Sequence, residues 1–136
     1  MQLEKKYQEL SNFLIGWMDT DLTDEHIVKR FVWDCYDLAR ICARKLEIDT
    51  TENIARLFKE RLDSTISEGR EILALEPFPN DWICDRSEVC YYDPEDGKAW
   101  LRKVLKMLQE EVERTTLPVP FVSLYKEEYE KSKTKS

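Results

Sequence analysis

Apolar side chains recur every three or four positions along most of this chain, and only three glycines interrupt its 136 residues. That spacing matches the 3.6-residue turn of an α-helix and not the alternation of a half-buried strand, so it predicts helices and no substantial sheet. The first helix is expected over Leu3 to Met18, with Leu3, Tyr7, Leu10, Phe13, Leu14 and Trp17 on one face. The second opens at Thr23, whose hydroxyl suits the free amides of a helix start, and Asp24 and Glu25 follow where the helix dipole favours negative charge. Its stripe reads Ile27, Phe31, Cys35, Leu38, Ile41, Cys42 and Leu46. Trp33 and Tyr36 fall off that stripe, at the margin of the core or at a second contact surface, and the margin is the favoured reading.

Asp49, Thr50 or Thr51 caps a third helix to about Leu75, with Ile54, Leu57, Phe58, Leu62, Ile66, Ile72 and Leu73 inward. Gly69 weakens it locally, by about 1 kcal/mol relative to alanine. The run Glu76-Pro77-Phe78-Pro79-Asn80 ends it, since proline offers no amide donor and restricts the residue before it. Asp93-Pro94-Glu95-Asp96 is the clearest start signal: a capping aspartate, proline at the first helical position, then two acids. The fourth helix runs to about Glu113, with Trp100, Leu101, Val104, Leu105, Leu108 and Val112 buried and Lys98, Arg102, Lys103 and Lys106 on its basic face.

The expected fold is therefore all-α. Four amphipathic helices with short links bury their stripes most simply as an antiparallel four-helix bundle. An acidic loop joins the third and fourth helices, and an extended carboxy-terminal tail holding Pro118 and Pro120 follows the last. Residues 1–130 read as one helical domain, since this length buries a core without metal or disulfides, and 131–136 as a disordered tail.

Charge is distributed unevenly. Glu76, Asp81, Asp85, Glu88, Asp93, Glu95 and Asp96 face a single base, Arg86, so the segment from Glu76 to Asp96 holds six of the chain's seven net negative charges. Phe78, Trp82, Tyr91 and Tyr92 are interleaved with those acids, and large amphipathic rings beside fixed charge anchor protein interfaces. Asp93, Glu95 and Asp96 already serve the start of the fourth helix, and some acids have Lys98 or Arg102 within a turn. Glu76, Asp81, Asp85 and Glu88 lie outside that turn. The rings could also tuck into the bundle and tether the loop, but the combination reads as a surface that meets a basic partner.

Several classes are disfavoured. A pI near 4.9 argues against direct nucleic-acid binding, which draws its affinity from lysine and arginine displacing counterions. The longest apolar runs, such as Phe13-Leu14-Ile15, are too short to cross a bilayer, and Met1 to Lys6 lacks the apolar core of a signal peptide. No membrane role and a cytoplasmic location follow as expectations.

Cys35 and Cys42, on one helix, would sit roughly 10 Å apart and out of disulfide reach. Cys84 and Cys90 could be bridged, but nothing in the sequence indicates an oxidising compartment, and all four cysteines are read as structural or free thiols. His26 is the single histidine. No Gly-rich phosphate loop, activated nucleophile or metal-binding helix motif is present, so no catalytic residue, metal or cofactor is expected. The enzymatic alternative is a bundle holding a divalent ion on Asp81, Asp85, Asp93 and Asp96, or across Asp19, Asp21 and Asp24.

Glu76-Pro77, Asp85-Arg86, Tyr91, Asp93 and the run Lys98-Ala99-Trp100-Leu101-Arg102-Lys103-Val104-Leu105-Lys106-Met107-Leu108 resemble the carboxy-terminal part of the colicin D immunity proteins and related immunity proteins, including those of contact-dependent inhibition. The resemblance covers about a quarter of the chain. It implies an antiparallel helical bundle whose acidic surface covers the basic active site of a tRNA-cleaving toxin. Carried over, Glu76, Asp81, Asp85, Glu88 and Asp93 would stand in for phosphates, and Trp82, Tyr91 and Tyr92 would anchor the pose. The additional amino-terminal helix and the Pro118 to Tyr129 tail depart from the family. The expected function is an immunity or antitoxin protein, a monomer or weak dimer, that occludes a nuclease toxin. The alternative is a phage or regulatory protein inhibiting a host nucleic-acid-binding protein.

Overall fold

In the computed structural model, residues 3–114 are described; the tail expected to be extended and residues 131–136, expected to be disordered, lie outside them. Six helices follow in order: α1 (Leu3–Lys6), α2 (Gln8–Ile15), α3 (Asp24–Lys45), α4 (Thr51–Leu73), α5 (Asn80–Ser87) and α6 (Pro94–Arg114). No strand occurs among the described residues. The long helices α3, α4 and α6 pack on one another, α2 lies against α4, and α5 sits between α2 and α6.

The capping signals are where the sequence places them. Thr23 Oγ1 accepts from the His26 amide at 3.2 Å, and Thr50 Oγ1 accepts from the Asn53 amide at 3.2 Å. At α6, Asp93 Oδ1 accepts from the Glu95 amide at 3.0 Å, with Pro94 as the first helical residue.

The expected first helix is broken at Tyr7, which leaves helical geometry (φ −117°, ψ 53°) while its ring is buried. In an unbroken helix the Leu10 amide would bond back to Lys6. Here it donates to Glu68 Oε1 of α4 at 3.1 Å, so a distant carboxylate caps α2. Burial raises the Glu68 carboxyl above its usual value despite that bond.

The inward face of α3 differs from the expected stripe. Ile27, Val28, Val32, Cys35, Tyr36, Ala39 and Ala43 are buried, whereas Leu38, Ile41, Cys42 and Leu46 are exposed and Phe31 is half-buried. Small side chains at Ala39 and Ala43 let α3 approach its neighbours, and Tyr36 belongs to the core, its ring 5.8 Å from Phe58. Burial pushes the Cys35 thiol up to about 12. The inward residues of α4 and α6 are largely as expected. Gly69, on the buried side of α4, has a packing reason: a Cβ there would meet Leu105 Cδ1 of α6 at 2.5 Å.

Asp24 does more than begin α3. It accepts from the Trp17 indole at 2.8 Å and from Lys103 Nζ at 2.7 Å, joining the end of α2 to α6. Burial alone would raise its carboxyl, but hydrogen bonds from Lys103 and Trp17, the Lys103 charge and a contribution from Trp100 hold it below the usual range.

Candidate functional site: an acidic helix and an aromatic cleft

The segment between α4 and α6 is not the loop that its composition suggests. Asn80–Ser87 forms an eight-residue helix, α5. Its spacing sorts side chains by face: Ile83 and Ser87 are buried, while Asp81 and Asp85 fall at i and i+4 and are exposed, and the exposed Glu88 follows as the residue that ends the helix. Arg86, the segment's one base, turns inward and donates from Nε to Ser11 Oγ of α2 at 2.9 Å.

Local bonds end α5 sharply. Glu88 takes the left-handed conformation (φ 63°), and its amide donates to the Cys84 carbonyl at 2.8 Å. The buried Ser87 hydroxyl donates to the Ile83 carbonyl at 2.7 Å and accepts from the Val89 amide at 3.0 Å. Cys84 and Cys90 form a disulfide with their Cα atoms 4.6 Å apart, the bridge that the sequence allows geometrically but gives no compartment reason to expect. Both lie beside the turn at Glu88, which brings them within bridging distance.

The return strand of chain is held to the start of α5 by Asn80, whose Nδ2 donates to the Tyr91 carbonyl at 2.8 Å. Gly97 leaves room for this latch, because a Cβ there would run into the Asn80 amide oxygen. Neither residue is singled out by the sequence, since the contact joins positions eleven apart across a turn.

These elements enclose a cleft of about 490 Å³ lined by Pro77, Phe78, Pro79, Asn80, Asp81, Trp82, Tyr92 and Pro94. Three of the predicted site residues, Asp81, Trp82 and Tyr92, therefore share one concavity. Tyr92 is completely exposed, at 105%, while Trp82 is half-buried against the core and its indole N–H is buried without an acceptor among the described residues. Phe78 is buried, and Lys98 Nζ lies 5.8 Å from its ring centroid.

The remaining predicted residues are distributed around the cleft. Glu76 precedes Pro77 on one side, and Asp93, exposed but bound to the first turn of α6, precedes Pro94 on the other. Asp85 and Glu88 continue the acidic face along α5, and Glu88 Oε2 also accepts a long bond, 3.4 Å, from the Asp19 amide. Tyr91 is 39% exposed and serves chiefly through its backbone carbonyl.

Among the described residues, Glu76, Asp81, Asp85, Glu88, Asp93 and Asp96 make no ion pair, and Glu95 alone of the segment's acids does, with Lys98 at 3.6 Å. No cation among the described residues pairs with those six carboxylates. Among the described residues no three histidine, cysteine or acidic side chains converge as metal ligands, and neither set of aspartates considered above forms such a cluster. No helix among them is long and apolar enough to cross a membrane.

Set against models of protein families, curated proteins and solved structures, the chain matches none.

Proposed function

We propose that this chain is an immunity or antitoxin protein that binds a basic nuclease toxin and occludes its active site without itself being a catalyst. The observation that carries the reading is the alignment of Asp81, Asp85 and Glu88 on the exposed side of α5, unpaired among the described residues and adjoining the Trp82–Tyr92 cleft. A toxin that grips phosphates with lysine and arginine presents the complementary charge, and such complementarity raises association rate and selects the partner. In this reading the helices adopt an antiparallel bundle that holds α5 as a firm platform, and the protein works as a cytoplasmic monomer or weak dimer.

A reducing cytoplasm keeps thiols unpaired, so the site must outlast the Cys84–Cys90 bridge. The bonds of Asn80, Arg86 and Ser87 provide for that.

Co-purification from the native host, with mass spectrometry of the bound material, tests the reading. A basic nuclease whose activity is blocked stoichiometrically is the expected outcome, with and without reductant. Capture of a basic host regulator would instead favour the inhibitor alternative. Capture of no basic protein at low salt would refute both.

A further inference from the structure

The cleft beside α5 has a narrower chemistry than the acidic face around it. Among its lining residues Asp81 carries the only charge; the others offer three proline rings, the rings of Phe78, Trp82 and Tyr92, and the Asn80 amide. An anion is repelled by Asp81 and by its acidic neighbours. A neutral apolar group would fill the space but leave the carboxylate unmatched.

We infer that the juxtaposition of Asp81 with Trp82, Tyr92 and the proline walls is a receptor for one arginine side chain of a basic protein. This rests on the proposed function and specifies which group of the partner enters. A guanidinium is planar, always charged and weakly hydrated, so it stacks on aromatic faces and forks onto a carboxylate, whereas a lysine ammonium is a compact, strongly hydrated point charge. The arginine stem is apolar and lies against proline while its head reaches the acid.

Two described cations of the neighbouring sequence, Arg86 and Lys98, are engaged elsewhere. Arg86 is bound to Ser11, and Lys98 stands over Phe78 while paired with Glu95. The backbone on the two sides of the cleft is tied by the Asn80–Tyr91 latch and the Asp93 cap, which leaves the fully exposed Tyr92 ring as the side chain to be ordered on binding.

The test is titration of the ¹⁵N-labelled full chain with a capped Gly-Arg-Gly peptide and its citrulline counterpart, which keeps shape and loses charge. Saturable shifts at the Trp82 indole and the Tyr92 amide are expected for arginine, with binding weakened about tenfold or more by citrulline, Asp81→Asn or Tyr92→Ser. Asp85→Asn, which removes the same charge outside the cleft, should weaken it far less. Tyr92 is fully exposed, so an unchanged melting temperature checks that Tyr92→Ser is folded. Equal binding of citrulline, equal effects of Asp81→Asn and Asp85→Asn, or shifts confined to the outer face of α5 would overturn the receptor.

The two readings fail separately. Partner capture that persists in Tyr92→Ser and Asp81→Asn sinks the arginine receptor and spares the acidic face. Specific arginine binding without any basic partner in the host sinks the toxin reading and spares the receptor.

Discussion

Replacing Asp81, Asp85 and Glu88 together by Asn, Asn and Gln takes the Glu76–Asp96 segment from a net charge of −6 to −3. The fold should tolerate it. All three side chains are exposed and lack ion pairs among the described residues, so stability should stay within about 0.5 kcal/mol. The signs also partly cancel: Asp81 sits in the favourable first turn of α5, whereas Asp85 and Glu88 lie at its carboxy-terminal end, where the dipole disfavours them. Relief of the Asp81–Asp85 repulsion, at i and i+4, adds a few tenths of a kcal/mol. Association should respond strongly. If steering by the full segment speeds encounter about 100-fold, and its logarithm scales with charge, halving the charge leaves about tenfold, a tenfold loss of on-rate at low salt. The two proteins should converge as salt rises, because the Debye length shrinks from about 30 Å at 0.01 M to about 3 Å at 1 M. Stopped-flow association with the captured partner across that range, alongside thermal melts, gives both readouts. An unchanged low-salt on-rate would refute the steering argument, and a stability loss above about 1 kcal/mol would show that these carboxylates hold the fold.

Thiol labelling of the native protein without reductant should modify Cys42, which is exposed, and spare Cys35, whose thiol burial pushes up to about 12, with Cys84 and Cys90 bridged; mass spectrometry of digests reads this directly. The Asp24 carboxyl is held below its usual range, so its stabilisation is complete above the ordinary carboxylate range and lost as pH falls through the lowered value. Asp24→Asn should therefore lower the melting temperature at pH 7 by a few degrees, corresponding to about 1 kcal/mol or less for a pair this exposed, and make little difference at strongly acid pH. Trp82→Phe removes an indole N–H that is buried without an acceptor among the described residues, so denaturant titration should show a loss below about 1 kcal/mol, smaller than that of Trp82→Ala. Ser87→Ala deprives the Val89 amide of its acceptor and should cost about 1–2 kcal/mol while leaving the salt dependence of association intact.

The helix starts at Thr23, Thr50 and Asp93 were legible because capping is local: donor, acceptor and proline lie within a few residues of one another. The inward face of α3 was not, because weighting positions by apolar size selects Leu38, Ile41 and Leu46, while close helix approach selects Ala39 and Ala43. Helix α5 escaped notice for a related reason. With only Ile83 and Ser87 buried, an eight-residue helix between prolines shows almost no apolar period. The acidic and aromatic residues of the site were readable as composition. Their gathering around one cleft depends on the Asn80–Tyr91 bond and the space at Gly97, which no local pattern encodes.

The half-turn separation on α5 has a consequence for how the site can vary. Residues that hold the helix, Ile83, Arg86 and Ser87, and residues that present charge, Asp81, Asp85 and Glu88, occupy different faces. Substitutions on the outer face change charge at little cost to the fold, so partner choice can be altered there without repacking the core. The cleft is coupled differently. Trp82 packs against the core while lining the concavity, and Asn80 both lines it and binds Tyr91. A change at either residue shifts stability and recognition together. Under the proposed function, charge selection can therefore be tuned on the outer face independently of the fold, whereas recognition in the cleft cannot.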